Sequence, residues 1–243
     1  MNNIDELLAV VRSHEASRPR SLQVQLGPSE VGTACARRLA YKLLQVEPVN
    51  DGGDPWARIL GTATHAWLDE AFEEENTRIG DRRWLTSIRA EITGYLGGTI
   101  DVYDAAFRRV IDHKVVGATT LKKAVKEGPS EQYRIQLQLY AFGLINAGYP
   151  VEEIAIMYWP RTGYLKDAYL WVDFYDEDIV EQALRKIDAL REVVQVGVGV
   201  LPMIPTGDAY CLYCPHYLPA STVIEEACPG HQAAGPNKEK DES

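Results

Sequence analysis

The order of elements along the 243-residue chain predicts a single α/β or α+β domain. Two observations carry this. Stretches with helical apolar spacing alternate with short β-type runs, in the order helices, strand group, helix, strands, helix. The composition, 46% hydrophobic and 25% charged, is that of a chain able to bury one substantial core, alone or with a small appended subdomain.

Residues 1–12 predict a short helix, followed by the polar stretch SHEASRPRS. Ser29, just after Pro28, is placed to N-cap a second helix that runs to about Leu44. EPVNDGGDP (47–55) is a loop rich in turn residues. From Trp56 the spacing Trp56, Ile59, Leu60, Ala63, Trp67, Ala71 gives the main apolar face of a third helix, expected to end in the acidic patch Glu73–Glu75. Three β-type segments follow, at 84–92, 95–104 and 107–116, separated by Thr93-Gly94 and a short link around Tyr103–Ala106. KKAVKEGPSE is a polar link into a helix from about Glu131 to Ala147, which Gly148 stops. Strands at 153–159 and 165–174 flank the turn Pro160–Gly163, and Asp176 caps a last long helix with apolar Val180, Ala183, Leu184, Ile187, Leu190 and Val194. The remainder is loop-rich, and QAAGPNKEKDES reads as a disordered tail.

No apolar run approaches the roughly 20 residues that span a bilayer. The N-terminus MNNIDELLAV lacks a basic n-region and a small-residue cleavage site, so the expectation is a cytoplasmic protein with no membrane association. Twenty-five basic against 35 acidic residues give a net charge of −10, which excludes an overall basic nucleic-acid binder but not a local basic groove. The candidate patches are Arg37, Arg38 and Lys42; Arg82 and Arg83; Arg108 and Arg109; and Lys122, Lys123 and Lys126. Each alone reads as a solvated face. Four cysteines in a reducing compartment point to metal ligation or to nothing, not to a disulfide framework.

The chemistry lies in GGTIDVYDAAFRRVIDHKVV. In a strand, Asp112 and Lys114 share a face while Ile111, His113 and Val115 take the other, and a hairpin-like return brings Asp101 alongside. Two carboxylates and an ammonium inside apolar strands are costly unless they act together. Paired carboxylates suit Mg²⁺ or Mn²⁺, and a lysine beside them can position or deprotonate a water or offset transition-state charge. The set describes phosphodiester hydrolysis. A D-x-K triplet by itself is more often an ordinary exposed pair; the surrounding order is what gives it meaning. His65 lies off the Trp56–Trp67 stripe, and Gln136 and Tyr140 sit at i, i+4 on a helix apolar nearly all round, where they need polar partners.

In these residues the chain resembles the PD-(D/E)XK nuclease superfamily, and within it the RecB-like exonucleases. The matching motifs run in the family's order: His65 in G-x-x-x-H, Asp101 in G-x-I-D, Asp112-His113-Lys114 as D-x-K, and Gln136 with Tyr140 as Q-x-x-x-Y. The match covers roughly residues 29–228, most of the chain. The resemblance implies a restriction-endonuclease-like core, a central mixed β-sheet flanked by helices. It implies that His65, Asp101, Asp112 and the backbone carbonyl of His113 ligate the metal, that Lys114 acts on the attacking water, and that Gln136 and Tyr140 support the site or the DNA backbone. Asp112 stands where many RecB-like members carry glutamate.

Cys35 precedes these motifs, and Cys211, Cys214 and Cys228 follow them, the last two each before a proline, as recurs at iron–sulfur ligands. The pattern resembles the iron–sulfur branch that includes CRISPR-associated exonucleases and AddB-type subunits. That implies a 4Fe–4S cluster in a C-terminal subdomain fastened to the N-terminal helix. The thirteen residues between Cys214 and Cys228 exceed that branch's usual spacing, which leaves zinc, with His216 or His231 joining some of the cysteines, as the alternative. The implied division is 1–28 N-terminal helix and linker, 29–200 nuclease core, 201–231 cysteine-rich segment closing onto Cys35, and 232–243 tail.

The function so implied is a metal-dependent DNA exonuclease acting on single strands or DNA ends in recombination, repair or replication. A non-catalytic DNA-end-binding or assembly subunit and a structure-specific endonuclease are the alternatives. Tyr158, Trp159, Tyr169 and Trp171 are candidates to stack bases, or to fill the core. There is no G-x-x-x-x-G-K-[ST] loop, so any unwinding falls to a helicase or recombination protein in trans.

Overall fold

The computed structural model describes residues 4–17, 25–50, 53–207 and 209–231. The tail expected to be disordered and the first three residues of the first predicted helix lie outside the described residues. The chain divides into two units, one of Met1–Ser21, Gly27–Gly32 and Pro55–Ala183, the other of Leu22–Leu26, Thr33–Asp54 and Leu184–Ser243.

The first unit is built on five strands, β1 (Trp84–Thr93), β2 (Leu96–Asp104), β3 (Arg109–Val116), β4 (Glu153–Pro160) and β5 (Tyr169–Phe174), lying in that order. The β1–β2, β2–β3 and β4–β5 pairs are antiparallel, and β3–β4 is parallel. The mixture follows from the connections. Short turns serve the antiparallel pairs, whereas the parallel pair needs a long crossover. That crossover holds α5 (Ala118–Glu127) and α6 (Glu131–Asn146). On one face Ile100, Val110, Ile154 and Ile156 pack with Leu137 and Leu144 of α6. On the other, Val102, Ile111 and Ala155 meet Phe72 of α4 (Trp56–Ile79). The sheet is the expected mixed one, with helices on both sides.

Several elements differ from expectation. The predicted helix 29–44 is two pieces, α2 (Pro28–Val31) and α3 (Ala36–Leu43). The N-cap is Gly27, whose N–H donates to Glu30 Oε2 at 3.0 Å, rather than Ser29. At the break the chain passes close to α6: a Cβ on Gly32 would lie 2.6 Å from Gln132 Cα. Gly32→Ala is therefore expected to cost about 1–3 kcal/mol, the usual range for overpacking, read as a lower urea midpoint with an unchanged slope.

The first helix, α1, spans Ile4–Ala16, longer than predicted, and its buried Glu15 pairs with Arg58 at 2.8 Å. The link KKAVKEGPSE is largely α5, whose single buried residue, Ala124, leaves too thin an apolar stripe to announce a helix. A 3₁₀ turn, Leu165–Asp167, shortens the fifth strand.

The largest correction concerns α4. It runs through the acidic patch to Ile79, where Gly80 (φ 68°) ends it in the left-handed conformation. The face toward the sheet is the one carrying His65, Leu68, Phe72 and Asn76, and Asn76 Nδ2 donates to Trp84 O at 2.6 Å. The Trp56–Trp67 stripe faces out, with these two residues 57% and 66% exposed.

The second unit is loop-rich. Arg37 of α3 donates from Nε to Ile204 O at 2.9 Å and from its backbone N–H to Pro205 O at 3.1 Å. Tyr41 OH donates to Ile224 O, and Asn50 Nδ2 to Leu212 O and Cys214 O. The final helix, α7 (Glu177–Val194), starts in the first unit, where Asp176 Oδ1 accepts the Asp178 N–H at 3.0 Å, and ends in the second. Among the described residues no helix is long and apolar enough to cross a membrane.

Candidate active site

The site begins where two strands part. The β2–β3 ladder stops at Val102↔Ile111; beyond it β2 stays with β1 and β3 stays with β4. A buried N–H left without a ladder partner must find another acceptor. That of His113 donates to Asp101 Oδ2 at 2.7 Å. The divergence thus fixes one carboxylate between the strands.

His65 reaches this point from α4. Its Nδ1 lies 3.1 Å from Asp101 Oδ1 and its Nε2 3.1 Å from the His113 carbonyl. Burial pushes the His65 imidazole down, but the Asp101 carboxylate outweighs that and holds it above its usual range. Burial likewise works to raise Asp101, and the His65 ring with the His113 N–H holds it below the ordinary carboxylate range.

Asp112 and Lys114 stand on the β3 face turned toward α6. Asp112 is 3% exposed, and its Oδ1 accepts from Gln136 Nε2 at 2.8 Å. Lys114 Nζ lies 2.7 Å from Oδ2 in a buried ion pair. Gln136 Oε1 is a buried oxygen with no hydrogen bond. Burial pushes the Asp112 carboxyl up against the attraction of Lys114. For Lys114, burial pulls down, but Asp112 prevails and keeps the amine well above its ordinary value. Tyr140 lies beside Gln136, its phenol pushed up to about 12 by burial. Gly98 makes room for it, since a Cβ there would sit 2.8 Å from the Tyr140 ring.

His113 points to the opposite face, stacked parallel on Phe72 at 5.9 Å, with burial pushing its imidazole down to about 4. Only its backbone faces the site. The structure therefore brings together His65, Asp101, Asp112, the His113 carbonyl, Lys114, Gln136 and Tyr140. It adds one residue that sequence reasoning missed. Tyr133 places its ring 4.8 Å under Lys114 Nζ. The signal was present, because Tyr133, Gln136 and Tyr140 fall at i, i+3 and i+7 on one helical face.

Among the described residues no group of three or more His, Cys, Asp or Glu side chains stands in a ligating arrangement. At the site, Lys114 supplies the positive charge beside the two carboxylates. The donor set itself, two carboxylates, a carbonyl and an imidazole, beside a buried Gln136 Oε1 that has no hydrogen bond, fits a hard divalent cation.

The four cysteines are free and line one cavity of the second unit. Cys35 is the N-cap residue of α3 rather than a member of a continuous helix. Backbone N–H groups point at three of the sulfurs: Gly230 to Cys228 Sγ at 3.4 Å, His231 to Cys211 Sγ at 3.3 Å, and His216 to Cys214. Burial pushes the Cys214 thiol up. The His216 ring stacks on Tyr41 at 4.8 Å, and His231 Nδ1 sits 3.0 Å from Thr206 Oγ1.

Of the basic patches, Arg83 is held bidentately by Asp104, Arg108 by Glu152 and Arg109 by Glu153, while Lys122 and Lys123 are exposed on α5. Of the candidate stacking aromatics, Tyr158 belongs to the core, and Tyr169 and Trp171, partly buried, pack against it.

No family model and no curated protein matches the sequence. Solved structures do match. An alkaline exonuclease (LHK-Exo) from Laribacter hongkongensis gives a TM-score of 0.52 at 13% identity, covering 74% of this chain and 92% of that one. The same enzyme in complex with dAMP gives 0.52 at 14% identity, with the same coverage. A phage-related exonuclease from Haemophilus somnus 129PT gives 0.42 at 15% identity, covering 65% and 78%. At such identities the likeness to LHK-Exo is one of fold. The chain shares the α/β fold of that structure, a mixed sheet with helices on both faces.

Proposed function

We propose that this chain is a divalent-metal-dependent deoxyribonuclease of the RecB-like PD-(D/E)XK type, an exonuclease acting on single-stranded DNA or DNA ends. The observation that carries the reading is the meeting of Asp101 and Asp112 where β2 and β3 part, with Lys114 against Asp112. That LHK-Exo, which shares this fold, is an alkaline exonuclease supports it. His65, Asp101, Asp112 and the His113 carbonyl would hold Mg²⁺ or Mn²⁺. Such an ion supplies acidification of water and polarisation of a phosphoryl oxygen.

The protein's own groups do the rest. Lys114 is kept in its ammonium form by Asp112, so Nζ serves as a donor, orienting the attacking water and offsetting charge on the phosphoryl oxygens. Gln136 aims Asp112 by donating to Oδ1, and Tyr140 backs Gln136. Tyr133 steadies the ammonium from below.

The same reading places a 4Fe–4S cluster on Cys35, Cys211, Cys214 and Cys228, supported by their shared cavity and by the N–H donors aimed at sulfur. Zinc is the alternative, but His216 and His231, the histidines it would recruit, are engaged with Tyr41 and Thr206. The setting proposed is cytoplasmic recombination, repair or replication, with a helicase or recombination protein acting in trans.

Incubating the full chain with end-labelled linear and circular single-stranded DNA tests this. With Mg²⁺ or Mn²⁺, linear strands are expected to be degraded and circles to persist, and a chelator stops the reaction. Cutting of circles would make the enzyme an endonuclease; no cleavage of either would leave only a binding protein.

A further inference from the structure

We infer that Arg38 is the counter-charge of the metal group proposed on Cys35, Cys211, Cys214 and Cys228, a role that rests on the metal-centre reading of those cysteines. Its guanidinium sets how tightly that group is kept and how readily it is reduced. The starting point is a basic pair on α3 whose two members fare differently. Arg37 spends its guanidinium on the carbonyls of Ile204 and Pro202, at 2.9 and 3.2 Å. Arg38, half-buried beside it, has no carboxylate or carbonyl partner among the described residues. A guanidinium taken partly out of water without an anion is costly, and Arg38 borders the cavity that the four cysteines line.

What supplies the anion follows from charge. Four thiolates outweigh the positive charge of an iron–sulfur core or of a zinc ion, so the filled site is negative whichever metal it holds. Among the described residues lining the cavity there is no aspartate or glutamate, and Arg38 is the one side chain with a fixed positive charge. That charge acts on the Cys214 sulfur, opposite in sense to the Cys35 and Cys228 thiolates. The helix sets the position: Cys35 is the N-cap of α3 and Arg38 follows three residues later, in its first turn. The N-terminal end of α3 adds its own partial positive charge, and the N–H groups of Gly230 and His231 donate to Cys228 and Cys211 Sγ. Those donors are backbone and persist in any variant. Arg38 is the part of the positive surround that a side-chain substitution removes, and a chain of net charge −10 has little other positive field to hold an anionic group. A cation beside such a group also favours its gaining an electron, since net charge is one of the levers on a cluster's potential.

The full chain, purified without oxygen, is compared with Arg38→Met, which keeps the apolar stem, and with Arg38→Lys, which keeps the charge. Two quantities are measured: the rate of metal loss to excess chelator, and the midpoint of a redox titration followed by electron paramagnetic resonance. Arg38→Met is expected to lose its metal about tenfold faster, the lower end of what removing an outer partner of a metal ligand costs. It is also expected to be reduced at a more negative potential than the wild type. Arg38→Lys should stay close to the wild type in both, whereas a merely structural role would leave the midpoint unmoved and lysine without advantage. If Arg38→Met folds but takes up no metal, loading of Arg38→Lys sustains the assignment and its failure to load overturns it. Equal rates and midpoints in the wild type and Arg38→Met would also overturn it, and leave Arg38 to an anion from solvent. A wild-type chain that carries zinc would overturn the reduction half, and the rate, with the same expectations, would decide the rest. A wild-type chain with neither metal would instead fail the metal-centre reading, and the counter-charge with it.

Discussion

Asp112→Asn is expected to lower DNA cleavage on the order of 10³-fold or more while leaving the fold unchanged. Disturbing the hydrogen-bonded partners of a metal ligand already costs about 10–100-fold, and here the charge of a proposed ligand itself is removed. Stability should move differently. Burial raises the Asp112 carboxyl above its ordinary value, so the folded chain holds that proton more tightly than the unfolded one does. Ionisation at neutral pH then works against folding, and a neutral amide relieves it. Asp112→Asn also leaves the Lys114 ammonium without its counter-charge, so at pH 7 and without added metal the asparagine variant should melt below the wild type but less far below it than Lys114→Ala does. Lys114→Ala should combine loss of activity with the larger fall in melting temperature, because it strips a buried carboxylate of its counter-charge and offers it no relief. Mn²⁺ should raise the melting temperature of the wild type and not of Asp112→Asn. Near-normal cleavage by the asparagine variant, with an unchanged circular dichroism spectrum, would take Asp112 out of the site.

Protein purified without oxygen is expected to be brown, with iron and acid-labile sulfide in near-equal amounts and little zinc. Cys211→Ala should bleach it, lower the melting temperature and open residues beyond about 200 to protease, with nuclease activity falling as a consequence. The reasoning is loop closure. Cys35 and Cys211 are 176 positions apart, and a link between them removes a large share of the unfolded chain's freedom. Without that link α3 is joined to the C-terminal segment by hydrogen bonds such as those of Arg37 and Tyr41. Zinc would close the same loop, so melting data alone do not separate the metals. Colour and metal content do: a colourless chain carrying one stoichiometric zinc would replace the iron–sulfur proposal and leave the nuclease proposal standing.

The strands and the D-x-K face were legible because a two-residue alternation leaves no freedom. Once 109–116 is a strand, Asp112 and Lys114 must share a side. The helix bearing Gln136 and Tyr140 was legible through its nearly continuous apolar run and Gly148 beyond its end; its Ser130 cap came only from the structure. What failed was α4. An apolar stripe on a helix ordinarily faces the core, but here the inward face is half polar, because His65 serves Asp101 and Asn76 serves the backbone of Trp84. The need for glycine at 32 was invisible because the backbone it approaches, that of Gln132, is a hundred residues away in sequence. The parting of β2 and β3, which places Asp101, likewise depends on β1 and β4 claiming their partners.

The arrangement of the cysteines also sets an order in time. Cys35 leaves the ribosome early, and all of Pro55–Ala183 follows before the first of its three companions exists. A growing chain thus completes its five strands while Cys35 is still a solitary thiol. If the proposed cluster is what closes the second unit, that closure waits until translation has passed Cys228 and marks a chain that has been read through to that residue.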